Sequence, residues 1–204
     1  MLLHLIRHGQ TDWNEERRVQ GQSESRLTAL GRKQAQELSV ALQDHAIERV
    51  YCSSSLRARE TAELAFTGLA LPIDFLESLR EIHLGPWEGK LYDEVEVSDP
   101  QGFYHFWNAP DLFAVAGAES FAELQQRGLA AIRQIVRGNA CSTAAVVSHG
   151  ALIKALLCHF EGRELCYLWE RPHLPNCAHS IVEVTSNGSG RILRYAGSDV
   201  HDPA

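Results

Sequence analysis

No Cys-x-x-Cys pair occurs in the chain, and its five cysteines (Cys52, Cys141, Cys158, Cys166 and Cys177) are an odd number without framework spacing. Disulfide scaffolds need paired cysteines and zinc sites need clustered ones, so neither is expected and free, buried thiols are. Long apolar runs are missing too. The apolar start at residues 1–6 is cut by Arg7 and His8, too early for a signal segment, and no later stretch approaches a membrane span. A soluble chain in a reducing, cytoplasmic setting is expected. Positive charge is scarce, 19 Lys and Arg against 26 Asp and Glu, for a formal net charge of −7. That balance, with no P-loop and no basic stripe, speaks against a nucleic-acid or nucleotide-binding protein. No His-Glu-x-x-His and no clustered carboxylates suggest a metal, so none is expected at the site.

What is present is globular in composition, 45% hydrophobic and 22% charged over 204 residues, a length that suits one large domain. Short apolar runs end at Gly, Ser or Arg and read as strands: Leu2 to Ile6, Val50 to Cys52, Ile73 to Leu76, Ala144 to Ser148, Ser180 to Thr185 and Arg191 to Tyr195. Helical patterns lie between them. Thr28 can cap a helix that carries Ala35, Leu38 and Leu42 on one face. Arg57 falls in a strand-to-helix turn before the small-residue face Ala58, Thr61, Ala62 and Ala65. A helix from near Glu119 runs through Phe121, Leu124, Leu129, Ile132 and Val136, and another follows Gly150. Alternation of this kind predicts an α/β fold on a mostly parallel sheet, with ligands at the carboxyl ends of the strands. Residues 89–117 are less periodic and rich in aromatics, which suggests a lid-like insertion within a single domain spanning 1–204.

Chemistry-bearing residues gather at those strand ends. Arg7-His8-Gly9 closes the first strand, and Ser148-His149-Gly150 closes a later one in the same way. One such ending is unremarkable, but two in a parallel sheet put both imidazoles on one edge. Arg57 adds a guanidinium, whose planar donors suit a phosphate or carboxylate, while Arg59 reads as a solvated neighbour. Glu81 and Glu88, in the stretch LREIHLGPWEGK, both offer a carboxylate. Such a group either balances charge or, as an acid beside a bound phosphate, gives a proton to a leaving alkoxide; spacing does not choose.

Together these residues resemble the histidine phosphatase superfamily, also called phosphoglycerate mutase-like. RHGQTDWN, Gln20-Gly21, Leu27-Thr28, SSSLRARETA, LREIHLGPWEG, GAESF and VVSHG follow in the family's order and cover nearly the whole chain. The resemblance implies a three-layer α/β/α sandwich. It implies His8 as nucleophile, Arg7, Arg57 and His149 as phosphate-binding catalytic partners, and Glu81 as proton donor. Asn14, Gln20, Gly21 and Gly150 are the implied supporting contacts around the phosphate. Arg26, Ser54 and Ala118 depart from common family residues, and Arg26 is placed near the pocket mouth.

The implied reaction forms a phosphohistidine on His8, with no cofactor, from a small-molecule phosphate monoester. Between phosphatase and mutase, the insertion decides: it has Lys90 and no Arg, but five carboxylates (Asp93, Glu94, Glu96, Asp99 and Asp111), which would repel a doubly anionic cofactor. Residues 99–110 are similar to a bacterial broad-specificity phosphatase subgroup, with Phe103, Phe106, Trp107 and Phe113 either roofing the ester or packing the insertion. α-Ribazole phosphatases and sugar-bisphosphate phosphatases are rival readings, and a silent phospho-ligand module on the same fold is a more distant one. The sequence leaves the physiological ester and the oligomeric state open.

Overall fold

Why the chain forms a sheet is plainest in β1 (Leu2–Arg7) and β4 (Thr143–Ser148). Their middles are buried on both faces, and β4 is built of Thr, Ala, Val and Ser, small or β-branched residues that suit a covered central strand. The computed structural model describes residues 1–138 and 140–200. Besides β1 and β4, its strands are β2 (Arg49–Ser53), β3 (Ile73–Leu76), β5 (His179–Val184), β6 (Gly190–Tyr195) and the short β7 (Ser198–Asp199). They form one sheet in the order β3-β2-β4-β1-β5-β6-β7. The four strands β3, β2, β4 and β1 run parallel; β5 is added antiparallel beside β1 after a long excursion through the helix Gly150–Glu161, and β6 and β7 follow it antiparallel by short turns. The sheet is therefore mixed, with four parallel strands and three antiparallel, where the sequence predicts a mostly parallel one.

Two helical layers cover it. On one face lie α2 (Ala29–Leu42) and α3 (Leu56–Ala65), and their Leu38, Leu42, Ala58 and Ala62 pack with Ile6, Val50, Ala145 and Val147 of the strands. The other face takes α6 (Phe121–Arg137) and α7 (Gly150–Glu161), packed with Leu3, Leu5, Ala144 and Val146. The alternation along β1 and β4 thus assigns each residue to a layer, and a three-layer sandwich results. Thr28 caps α2 by accepting from Gly31 N at 3.0 Å. Ser120 and Glu123 form a capping box, a feature worth about 1 kcal/mol, so α6 begins at Phe121, two residues after the predicted start. Its buried face runs through Ile135, and Val136 is only half-buried.

Residues 89–117 are more regular than their sequence pattern suggests. They hold α4 (Tyr92–Ser98) and α5 (Pro100–Asn108), the latter capped by Asp99 with Pro100 at its first position. A one-turn helix, α1 (Asp12–Glu15), completes the set. No described helix is long and apolar enough to cross a membrane. All five cysteines are free; Cys52 and Cys158 are buried and the other three partly so.

Candidate active site

β4 lies between β1 and β2, all three parallel, so their carboxyl ends open on one edge. Arg7 pairs in register with Ser148, which brings His8 and His149 to adjacent strand ends. Their ring centroids are 5.2 Å apart. Both rings are buried, with 3% and 0% exposure.

His8 is held from several sides. Its Nδ1 lies 2.7 Å from the carbonyl oxygen of Gly9. A carbonyl only accepts, so Nδ1 carries the proton and Nε2 keeps its lone pair in the neutral ring. The backbone of His8 donates to Ser148 O at 3.0 Å, and its own carbonyl accepts from Cys177 N and Asn176 Nδ2, each at 3.2 Å. Asn176 also reaches Asn14 Oδ1 at 3.2 Å, so Asn14 supports the surroundings of His8 as well as the cavity wall. His149 engages Ser53 Oγ at 2.7 Å and Ser55 Oγ at 3.3 Å through Nε2, while its buried Nδ1 has no partner.

Arg57 sits in the first turn of α3, just inside the helix whose preceding turn the sequence analysis chose for it, and is 1% exposed. Its Nη1 donates to Ser23 O at 2.8 Å and its Nη2 to Gly21 O at 2.7 Å. Gly21 has φ +51°, and a Cβ there would collide with Glu88 at 2.3–2.8 Å, so only glycine shapes this seat. Arg7 donates from Nη1 to Leu174 O at 2.6 Å. A Cβ at position 150 would stand 3.4 Å from Arg7 Nε, so Gly150 leaves that side of the guanidinium uncrowded. The Nε atoms of both Arg7 and Arg57 are buried without a partner.

Glu81 approaches from the loop beyond β3. Its carboxylate accepts from Ala151 N at 3.0 Å, Leu152 N at 3.1 Å and Ile82 N at 3.0 Å, and so lies on the amino end of α7 where the helix dipole favours an anion. Arg127 fixes this loop: it donates to the carbonyls of Ser78, Arg80 and Glu81 at 2.9, 2.9 and 3.2 Å and pairs with both oxygens of Glu119 at 2.8 Å. The competing Glu88 is used otherwise. It accepts from Gln22 N, Ser23 Oγ and Leu84 N, and so builds the loop under Arg57.

Burial governs the electrostatics. It depresses the His8 and His149 pKa values well below the usual histidine range, with Arg57 the next cause for both. Burial also lowers Arg7, and it lowers Arg57 to about 10, in each case opposed by the charge of Glu81. The site thus presents neutral imidazoles beside two cations that have lost hydration, a setting that an incoming anion relieves.

These groups line a cavity of about 410 Å³. Arg7, His8, Asn14, Gln20, Gly21, Arg57, Glu81 and Gly150 are all in its wall; His149 is not, although its ring adjoins that of His8. Gln20 also accepts from Ser25 Oγ at 2.8 Å, which steadies its amide. The rest of the wall includes four aromatics, Tyr92, Phe106, Trp107 and Trp169, with Lys154 and His173. Phe103 packs against Tyr92 and Trp107, and Phe113 is buried against Trp87 and Phe121, so two of the four aromatics considered as a roof are packing residues. Arg26 is exposed and lies outside the wall. Arg59 is exposed and stacks on Phe75 at 4.3 Å. Sequence reasoning missed Lys154 and Trp169, left His173 unassigned, and had Tyr92 only as one of the aromatics of the 89–117 insertion. Lys154 carried a signal as the single charge inside an apolar helix. Its ammonium is spent on Glu170 O at 2.6 Å, Pro172 O at 3.2 Å and Tyr195 Oη at 3.0 Å.

Comparison with known proteins bears directly on this geometry. Residues 3–196 match the family model of the histidine phosphatase superfamily, branch 1. The chain belongs to that superfamily. As a histidine phosphatase it is a phosphoric monoester hydrolase. This histidine phosphatase is 30% identical over 202 residues to a probable phosphoglycerate mutase, GpmB, of Salmonella choleraesuis, covering 98% of this chain and 94% of that one. Its fold is similar to that of Bacillus stearothermophilus YhfR, with TM-score 0.93 and 41% identity over 97% of this chain and 98% of that one. It is also similar to a mycobacterial glucosyl-3-phosphoglycerate phosphatase solved with VO3, with TM-score 0.85 and 27% identity over 97% and 99% of the two chains.

Proposed function

We propose that this histidine phosphatase is a metal-independent phosphomonoesterase that hydrolyses small organic phosphates through a phosphohistidine on His8. One conjunction supports the reading. The free lone pair of His8 Nε2 shares a cavity with Arg7 and Arg57, each of which has an unpartnered, buried Nε. An unsatisfied buried donor costs about 1–3 kcal/mol, and a phosphoryl group with three charged oxygens removes that cost at both arginines.

In the first half-reaction Nε2 of His8 attacks phosphorus in line, the ester P–O bond breaks, and Glu81 gives its proton to the departing oxygen. Arg7 and Arg57 hold the equatorial oxygens from the wall, and His149, next to His8 with an unpartnered Nδ1, supplies the third donor if the bound phosphoryl group reaches it. In the second half Glu81 takes a proton from water, the oxygen of that water bonds to phosphorus, and the P–N bond breaks to restore neutral His8. Asn14, Gln20, Gly21 and Gly150 shape the pocket around the phosphoryl group. The two guanidiniums supply the positive charge that a metal provides elsewhere.

Water, and not a second phosphorylated metabolite, is the acceptor in this reading. A mutase must hold a second anionic group in the cavity, but beyond the phosphate groups the wall is mainly aromatic and the ammonium of Lys154 is already bonded to protein oxygens. None of the five carboxylates of 89–117 lines the wall; Glu94 and Asp99 serve as helix caps. The segment 89–117 is read as a lid-like insertion of a single domain because its Phe106 and Trp107 close the cavity from outside.

The same aromatic wall favours a second reading, a dedicated phosphatase for one ester with an aromatic leaving group, such as α-ribazole phosphate. A panel of phosphorylated metabolites distinguishes the two: a broad enzyme spreads kcat/KM evenly, whereas a dedicated one prefers a single ester by roughly 100-fold or more. The phosphohistidine itself is tested by quenching the enzyme, mixed with a radiolabelled phosphate ester, in detergent at alkaline pH, where a P–N bond survives. Label on His8 supports the assignment, and label on any other residue defeats it.

A further inference from the structure

Three histidines that the chemistry does not use meet on the α2/α3 face of the sheet. His4 stands on β1 and faces the same layer as Ile6, four residues before His8. His179 opens β5 directly across from Ile6, so it is the diagonal neighbour of His4 on that face. His45 comes from the turn after α2. The ring centroids are 4.7 Å apart for His4 and His45, 5.0 Å for His4 and His179, and 5.5 Å for His45 and His179. One nitrogen from each ring lies within 4.8 Å of the other two. His4 and His179 are buried, at 1% and 7% exposure, and His45 is partly exposed.

A polar pair within the core accounts for only part of this. His4 Nδ1 and His179 Nε2 are 2.8 Å apart, a hydrogen bond that satisfies one nitrogen of each ring. It gives no reason for the third ring to converge on the same point. We propose that His4, His45 and His179 form a three-histidine site for a transition-metal ion of the zinc class, separate from the phosphate cavity.

The donor set decides the class of ion. Three imidazoles and no carboxylate suit zinc, copper or nickel, and offer nothing to magnesium or calcium, which require oxygen ligands. Zinc takes nitrogen at about 2.0–2.1 Å in tetrahedral geometry, which puts ligand nitrogens roughly 3.3 Å from one another. The His4 and His179 nitrogens must therefore open by about half an ångström, and the partly exposed His45 turn must close, with water in the fourth position. Burial, as the largest cause, holds His4 down to about 3 and His179 down to about 4, so both rings are in the neutral form that binds metal. The charge of Arg194 acts on both rings and opposes a cation, so the affinity is below that of a four-ligand structural zinc site. Metal at this point would tie the end of α2 to β1 and to the start of β5. The segment leading into β5 supplies Leu174 O to Arg7 and Asn176 to His8 O. The role is structural, and it stands or falls independently of the phosphohistidine.

Untagged protein is stripped with chelator and titrated with Zn²⁺ by calorimetry, with Co²⁺ absorption as a second probe. One equivalent per chain is expected, with a rise in Tm at saturating Zn²⁺. His45→Ala, in a partly exposed turn, is the variant that keeps the sheet intact, as checked by circular dichroism. It is expected to bind at least about tenfold more weakly, since even outer-shell partners of zinc ligands count on that scale, and to lose the Tm shift. His4→Gln is expected to do the same. Cys177→Ser is expected to bind as the parent chain does. No stoichiometric binding by the parent chain, undiminished binding by His45→Ala, or loss of binding in Cys177→Ser each overturns the site.

Discussion

The Nδ1 of His8 lies 2.7 Å from the carbonyl oxygen of Gly9, and this contact between sequence neighbours decides which imidazole nitrogen is free to react. The backbone turn after β1 brings that carbonyl back on the ring, and it sets the tautomer of His8.

Acid is predicted to leave the nucleophile alone for longer than an ordinary histidine would allow. Burial and the two arginines depress the His8 pKa, so the ring stays neutral as pH falls through 6.5, the ordinary value. The kcat/KM of an aryl phosphate is therefore expected not to fall with a histidine limb near that pH. Stability behaves in the opposite way. His149 has a folded pKa below its unfolded one, so its contribution is complete above about pH 6.5 and shrinks as pH falls, because the unfolded chain takes up the proton first. Each such group adds up to about 1.4 kcal/mol per pH unit to the slope. His149→Gln is predicted to lessen that slope in urea melts between pH 6.5 and 5. An unchanged slope contradicts the depressed value.

Arg57→Lys is predicted to be nearly as damaging as Arg57→Ala. One N–H of each Nη is bonded to Ser23 O or Gly21 O, which leaves the unpartnered Nε–H and the second hydrogen of each Nη for substrate. A lysine ammonium cannot serve both carbonyls and the phosphoryl group from one point. Losses of about 10²–10³ in kcat/KM are expected for both variants, by comparison with other positioned donors. Recovery by lysine to within a few fold shows that charge alone suffices.

Glu81 and Arg127 are predicted to share a signature. If Glu81 protonates the leaving oxygen, Glu81→Gln slows an alkyl phosphate by about 10²–10⁴ and an activated aryl phosphate far less. Arg127 touches no substrate but holds the carbonyls of Ser78, Arg80 and Glu81. Arg127→Met should therefore reproduce the same leaving-group bias in weaker form. Equal slowing of alkyl and aryl esters by Arg127→Met points to general disorder and not to a displaced acid.

Much of this was legible in the sequence where a residue's role is fixed by its strand or helix end. The His-Gly endings after residues 7 and 148 carried the shared edge, and Thr28 and Ala35, Leu38 and Leu42 carried α2. β5 and β6 read as strands and the two-residue β7 did not, and the antiparallel direction of β5 depends on its pairing with β1, far away in the chain. Residues 89–117 hid two helices, because each is short and its apolar positions serve neighbours on several sides. Glu81 and Glu88 were equivalent by spacing. What separates them is contact: Glu81 meets the amino end of α7, seventy residues away, and Glu88 meets the loop at Gln22 and Ser23. Trp169 and His173 reach the cavity from a segment without any repeating pattern, so only the folded chain reveals them.

The outer wall is predicted to set which esters are preferred, through binding more than through chemistry. Trp107 and Trp169 stand with ring centroids 5.2 Å apart and tilted by 46°, and Phe106 lies between them and the core. A leaving group with an aromatic face gains by packing there, on the order of 0.5–1.5 kcal/mol per ring pair beyond its buried area. Glycerol phosphate offers no such face. Trp107→Ala, at a ring 39% exposed, removes the contact without opening the core. Its expected effect is a rise in KM of about threefold to tenfold for an aryl phosphate, the equivalent of that packing energy, with kcat for aryl phosphate and kcat/KM for glycerol phosphate little changed. Because the ring touches the ester's organic part and not its phosphoryl group, a fall in kcat with unchanged KM would place Trp107 in the chemistry and remove the aromatic wall as the source of preference.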